Sequence, residues 1–327
     1  MVWIRFLASS IVLVVSAVKM AQYGDVIAVR TRLGGMFIGV LLLAGATSLP
    51  EMLTMISSFR LDAPGLAAGN MFGSNMFNMF LLAVLDLLHQ HARILRRVAM
   101  THALTAALGS AMIGLSIFFI LGDIDLKIGW MGLDSLTLIL VYIAGIRLIQ
   151  QNGQASSTAV EVAPVETVMP LWRAATGFLV ATGVLVLVTP HLVGSSAEIA
   201  EVTGLGVGLV GTTLLAMVTS LPETVAVVAA CRLGAYDMAV GNLFGSNVFN
   251  MFALGVADAF YTPGRLLGAI DPAFALVGML GLLLTNLALI GNIARVERRL
   301  LFVEADALLI LLVYLGGMIF LYVKGIG

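Results

Sequence analysis

Apolar residues run through this chain in blocks of about twenty, the length a helix needs to cross a bilayer. Ten blocks can be drawn, at roughly 2–18, 36–59, 66–88, 100–122, 129–150, 170–190, 204–231, 238–260, 271–294 and 301–323. Of the connections between them only 150–169 has the composition of soluble chain, with Gln, Ser, Thr, Glu and Pro164. It divides the blocks into two sets of five. Two places break the pattern, because polar side chains sit well inside an apolar block. The first is Thr47-Ser48-Leu49-Pro50-Glu51, which returns 172 positions later as Thr219-Ser220-Leu221-Pro222-Glu223. The second is Gly69-Asn70-Met71-Phe72-Gly73-Ser74-Asn75-Met76-Phe77-Asn78, which returns as Gly241-Asn242-Leu243-Phe244-Gly245-Ser246-Asn247-Val248-Phe249-Asn250. From Thr47 to Phe80, 19 of 34 positions match without a gap.

Five spans per half is an odd number, so the second copy enters the membrane from the side opposite to the first. The expected architecture is an all-α polytopic membrane protein of ten transmembrane helices, built as two inverted five-helix repeats with broken helices at the midplane. The predicted units are 1–150 for the first repeat, with its core at about 44–80, a cytoplasmic linker over 151–169, and 170–327 for the second repeat, with its core at about 216–252. Counting Lys and Arg in the connections sets the orientation. With the N-terminus outside, 12 of the 17 basic residues fall on the inner side. Both termini are therefore expected outside. Arg60 and Arg232, equivalent by repeat, then lie on opposite faces, as inversion requires.

Composition agrees. The chain is 60% hydrophobic and 11% charged, with a mean hydropathy of +1.07, where soluble domains are about a quarter charged. A net charge of −1 argues against nucleic acid as a partner. The single cysteine, Cys231, rules out an internal disulfide and a cysteine metal site. The motifs H-E-x-x-H, G-x-G-D and G-x-S-G are absent, so no enzyme is expected. A channel is disfavoured too, since nothing resembles a ring of carbonyls forming a filter. Nothing requires an oligomer, and no cofactor is implied.

The chemistry lies in the repeated stretches. Proline withholds an N–H and disturbs the preceding turn. Pro50 and Pro222 should break their helices and free the carbonyls of Ala46 and Val218. Irregular backbone at membrane depth is tolerated only inside protein or around a watery cavity. The hydroxyls of Thr47, Ser48, Thr219 and Ser220, with the carboxylates of Glu51 and Glu223, form an all-oxygen set. Ser74 and Asn78, like Ser246 and Asn250, are four apart and share a helix face. Hard cations take such ligands. Gly69/Gly73 and Gly241/Gly245 have the spacing that lets helices approach closely, which brings Glu51 and Glu223 together across the repeat axis. Asn70, Asn75 and their partners are expected to tie backbones together. Two ionised glutamates give the site a charge of −2, which one divalent cation, two protons, or two to three Na⁺ offset. A site that moves only when neutralised exchanges ions and does not leak.

With these motifs the sequence resembles the cation/calcium exchanger superfamily, prokaryotic sodium/calcium exchangers above all, whose repeats carry G-T-S-L-P-E and G-N-x-x-G-S-N-x-x-N/D. The resemblance covers both repeats and the ten-span plan. It implies a secondary antiporter exchanging Na⁺ for Ca²⁺, or H⁺ for Ca²⁺ or another divalent ion, in a prokaryotic plasma membrane. It implies that Glu51 and Glu223 are the central ligands, completed by Thr47, Ser48, Thr219, Ser220, Ser74, Ser246, Asn78 and Asn250, and by main-chain oxygens near Ala44 and Ala216. It also implies that the first and sixth spans slide over the other eight. The chain departs from the pattern at Ala46 and Val218, where the family has glycine, and at Asn250, where many members have Asp. One charge fewer at 250 argues against a K⁺ requirement, and the short 150–169 connection leaves no room for a Ca²⁺-sensing domain.

Other polar residues receive structural readings. Asp86 and Asp258 match by repeat and are assigned to helix-end or interfacial pairing. Asp134 and Asp306, also 172 apart, are expected to cap the fifth and tenth spans, where the helix dipole favours an anion. His89, His91 and His102 accompany Arg93, Arg96 and Arg97 in a loop that reads as a positive-inside signature.

Overall fold

The computed structural model describes residues 1–31, 45–89, 94, 102–153, 169–294, 299–300 and 303–325. In chain order the long helices are α1 (Val2–Thr31), α2 (Leu49–Arg60), α3 (Pro64–Leu88), α4 (Ala103–Gly122), α5 (Leu133–Gly153) and α6 (Leu171–Thr203). Then come α7 (Val207–Thr219), α8 (Leu221–Arg232), α9 (Tyr236–Ala257), α10 (Phe274–Ala294) and α11 (Ala305–Lys324). Two small antiparallel hairpins precede α5 and α11: β1 (Lys127–Ile128) with β2 (Met131–Gly132), and β3 (Arg299–Leu300) with β4 (Val303–Glu304). They stand 172 residues apart, like the motifs. The fifth block therefore begins with a hairpin at its start and becomes helical only at Leu133. Among the described residues eight helices are long and apolar enough to cross a membrane, nine when the bent pair α7 and α8 counts as one span. This is an integral membrane protein.

α1 and α6 are longer than the apolar blocks that predicted them. Their 30 and 33 residues correspond to roughly 45 and 50 Å at 1.5 Å per residue, well beyond the ~30 Å hydrocarbon layer. The apolar run stops at Lys19 in one and near His191 in the other, but both helices continue, α6 passing through Pro190 at the loss of one intrahelical hydrogen bond. α6 instead ends at Gly204, whose φ of 68° closes the last turn by an N–H to the Ala200 carbonyl. The two helices run antiparallel in contact. Arg5 pairs with Glu198 at one end, Arg30 Nε donates to the Met169 carbonyl at 3.1 Å at the other, and Thr182 Oγ1 reaches Met20 Sδ between them.

The buried apolar side chains form two separate clusters. One joins α3, α4, α9, α10 and α11 through residues such as Phe72, Met76, Ile113, Phe244, Met251 and Ile310. The other joins α1 and α6 through Leu13, Met20, Leu185 and Leu192, and reaches α7 at Val210, Leu215 and Val218. Apolar side chains gain little by leaving lipid, so close packing and not hydrophobicity holds such helices together. Gly69 and Gly73 serve that end. A Cβ at Gly69 would lie 2.7 Å from the Gly208 carbonyl, and one at Gly73 2.7 Å from Thr212 Cα, so α3 touches the α7 backbone directly. Gly241 differs from this expectation, because its bare face lies beneath the His102 imidazole and not beneath a helix backbone.

Candidate functional site

The bends form where the sequence places them. Ser48 and Ser220 interrupt the helices, and Pro50 and Pro222 occupy the second position of α2 and α8. A missing N–H is tolerated there, because the first turn of a helix has no intrahelical acceptor for it. α7 and α8 meet at 45°. The other side of the first bend lies largely outside the described residues. Upstream of the second bend, Gly211–Leu215 widens into a π-helix, a form common at functional sites. Thr212 and Thr213 steady it by donating to the carbonyls of Gly208 and Leu209 at 2.8 and 2.7 Å.

Each bend aims a serine at the other bend's glutamate. Ser48 Oγ donates to Glu223 Oε1 at 2.9 Å, and Ser220 Oγ donates to Glu51 Oε1 at 3.1 Å. The two bonds are counterparts under the 172-residue offset. Both glutamates lie in the first turn of their helices, where the dipole favours a carboxylate, and they are close enough to repel one another. The Thr219 hydroxyl also approaches Glu51, and those of Thr47 and Ser246 approach Glu223. From α3 and α9 come two crossed amide pairs. Asn78 Nδ2 donates to Asn247 Oδ1 at 2.9 Å, and Asn250 Nδ2 to Asn75 Oδ1 at 3.0 Å. Thr219 Oγ1 lies 3.5 Å from Ser74 Oγ and donates to Asn70 Oδ1 at 3.0 Å.

Every one of these side chains is buried, the two glutamates to within 1% exposure. Yet Glu51 Oε2, Glu223 Oε2, Asn78 Oδ1, Asn250 Oδ1 and Ser246 Oγ have no hydrogen-bond partner. All come from the two repeated motifs, which also leave Asn242 Oδ1 and the amide nitrogens of Asn70 and Asn75 without a partner. Leaving a buried acceptor unpaired costs about 1–3 kcal/mol, and more for a charged group. Five in one cluster fit a site built for a cation. No group of three or more His, Cys, Asp or Glu side chains suited to a metal occurs among the described residues, so the set is two carboxylates supplemented by neutral oxygens. That is hard-cation chemistry.

The family model for sodium/calcium exchanger proteins matches residues 1–149 and 173–323, nearly the whole chain. The chain belongs to the sodium/calcium exchanger family. This exchanger is 27% identical to CaxA of Alkalimonas amylolytica over 306 residues, 89% of this chain and 91% of that one. Its fold is similar to that of the H⁺/Ca²⁺ exchanger CAX, with a TM-score of 0.67 at 14% identity over 99% of this chain and 89% of that one. It is also similar to the sodium-calcium exchanger NCX_Mj, with a TM-score of 0.61 at 22% identity over 98% and 99% of the two chains.

In this exchanger the structure brings together Thr47, Ser48, Glu51, Ser74, Asn78, Thr219, Ser220, Glu223, Ser246 and Asn250. The Ala216 carbonyl already accepts from Ser220 N at 3.1 Å and Thr219 Oγ1 at 3.3 Å. Ala44 lies outside the described residues. Asn75 and Asn247 hold more than backbone. Asn247 Nδ2 does reach the Asn75 carbonyl at 3.3 Å, but the side-chain oxygens of both also accept from the amides of Asn78 and Asn250. The only sequence signal for this is their place three residues before Asn78 and Asn250.

Three of the peripheral acids, Asp258, Asp134 and Asp306, behave as helix-end groups. Asp258 accepts from Gly132 N and Leu266 N, both at 2.7 Å. Asp134 accepts from Ser135 N at 2.7 Å and from the buried Arg265 at 2.9 Å, and Arg265 also pairs with Asp123. Asp306 accepts from Ala307 N at 3.0 Å in the first turn of α11. His102 lies 3.3 Å from Asp237 at the start of α9, and the His89 ring packs against Tyr236. His91, Arg93, Arg96 and Arg97 lie outside the described residues.

Proposed function

We propose that this protein is a Na⁺/Ca²⁺ antiporter whose ions bind between the two bends. Glu51 and Glu223 are the central ligands, joined by Asn78, Asn250, Thr47, Ser48, Thr219, Ser220, Ser74 and Ser246 and by the main chain at Ala44 and Ala216. The observation that carries this reading is the crossed pair of serine–glutamate bonds, which leaves one oxygen of each carboxylate unpaired. Both ionised, the glutamates give −2. An uncompensated charge of that size at the midplane opposes any movement through the membrane. One Ca²⁺ neutralises it, and so do two Na⁺. Because the ions compete for the same oxygens, each leaves as the other arrives.

The neutral oxygens serve Ca²⁺ under either coupling, and they also give Na⁺ the oxygen shell it needs. A proton needs only a carboxylate oxygen, whereas a bare alkali cation needs several oxygens around it. Proton coupling through the same two carboxylates is the second reading, favoured by the likeness in fold to an H⁺/Ca²⁺ exchanger.

The same proposal includes ten spans in two inverted repeats, 1–150 and 170–327, joined by a cytoplasmic linker at 151–169, with both termini outside a prokaryotic plasma membrane. It also includes alternating access by α1 and α6 sliding over the remaining helices. Their length and their mutual packing along an antiparallel pair support that division. The test is ⁴⁵Ca²⁺ uptake into proteoliposomes preloaded with Na⁺, K⁺ or choline at fixed pH. Uptake that requires internal Na⁺ is expected. Uptake indifferent to Na⁺ and driven by a pH gradient transfers the site to the proton-coupled reading, and uptake driven by neither rejects both.

A further inference from the structure

An asparagine side chain offers an acceptor at one end and two donors at the other, and the two ends are nearly the same size. Packing alone does not decide which end faces a neighbour. For a residue that is to hold a cation the choice is decisive, since the NH₂ end repels the ion that the oxygen attracts. Asn78 and Asn250 therefore need something that fixes their polarity.

We infer that Asn75 and Asn247 are positioning residues that lock the amides of Asn250 and Asn78 with their oxygens turned toward the ion. This rests on the reading of Asn78 and Asn250 as ligands. Each lock presents a side-chain oxygen, so the facing amide must turn its NH₂ toward it. Asn78 Nδ2 is held by Asn247 Oδ1 at 2.9 Å and Asn250 Nδ2 by Asn75 Oδ1 at 3.0 Å. The opposite ends, Asn78 Oδ1 and Asn250 Oδ1, are left buried and without a partner. The Asn247 lock is itself fixed, because its Nδ2 donates to the main-chain carbonyl of Asn75 at 3.3 Å, whereas the Asn75 side chain is held by its bond with Asn250. All four side chains are within 1% of full burial, so water does not compete for these bonds.

The arrangement is also a specificity device. A carboxylate at 250 would present an oxygen in either orientation and would need no lock. With asparagine there, the site keeps its oxygen count while its charge stays at that of the two glutamates. Asn75 and Asn247 make that substitution usable.

The inference makes a background-dependent prediction. In full-length protein reconstituted in proteoliposomes, Asn75→Ala raises the apparent KM for Ca²⁺ by about tenfold, the value of one lost orienting hydrogen bond. Against an Asn250→Asp reference, adding Asn75→Ala changes KM by less than about twofold, because a carboxylate has no polarity to lock. Asn247→Ala with and without Asn78→Asp repeats the test on the other side, should either alanine variant fail to reach the membrane. An equal loss in both backgrounds overturns the inference, since that is what a merely structural asparagine gives. So does an unchanged KM in Asn75→Ala when Asn250→Ala itself raises KM. If Asn250→Ala leaves KM unchanged, the ligand reading fails first, and the lock fails with it.

Discussion

Asp134 and Asp258 commit all four of their carboxylate oxygens to protein donors: three main-chain N–H groups and the Arg265 guanidinium. Glu51 and Glu223, equally buried, commit one oxygen each, to a serine from the opposite repeat. The first pair joins the β1–β2 hairpin, the start of α5 and the turn after α9, and each of its carboxylate oxygens has a donor within the chain. The second pair holds acceptors in reserve. Burial and charge alone do not distinguish a structural acid from one that binds an ion. What does is whether the protein has already supplied the partners.

The comparison breaks most sharply at the glutamates. Glu51→Gln or Glu223→Gln should abolish Ca²⁺ uptake while leaving the thermal unfolding midpoint unchanged or higher, since it removes one of two facing like charges. Detergent-solubilised protein followed by fluorescence during heating gives the second value. Arg265→Met should do the reverse. It leaves Asp134 buried without its cation, at a cost of about 3–5 kcal/mol in stability, and the fraction that folds should keep its KM for Ca²⁺.

Gly73→Ala comes next. Its methyl would press on the Thr212 main chain, and overpacking of this kind costs about 1–3 kcal/mol. Because Thr212 belongs to the π-helix beside the site, transport should fall along with stability. The smallest effect is expected from Ser48→Ala or Ser220→Ala, which removes one hydroxyl from a carboxylate. A KM shift of about three- to tenfold follows from a bond worth roughly 1 kcal/mol. Flux titrations over Ca²⁺ concentration measure it.

How far the sequence reaches can be judged residue by residue. Glu51 and Glu223 are legible because a carboxylate inside an apolar run is costly and rare, and its return 172 residues later removes coincidence. That each serine bonds the opposite glutamate is not legible, since the repeat implies only that the two copies act alike. The bend is legible from Pro50 and Pro222, which sit at helix starts because that is where their missing N–H does least harm. The lengths of α1 and α6 are not legible from apolar runs, because the helices outrun them, α6 even passing through Pro190 and Gly194 to end at Gly204. The π-helix at Gly211–Leu215 leaves no period in the sequence. Nor do the β1–β2 and β3–β4 hairpins, each made of two-residue strands. The polarity of Asn78 and Asn250 is beyond sequence altogether, since a residue name does not say which end of an amide faces a site.

The most direct test of the unpaired oxygens is equilibrium binding of ⁴⁵Ca²⁺ to the purified protein without Na⁺, beside Glu51→Gln, Glu223→Gln and Arg265→Met. The account predicts saturable binding by the wild type and by folded Arg265→Met, and none by either glutamate variant over the same concentrations. Unchanged binding by Glu51→Gln or Glu223→Gln would contradict it.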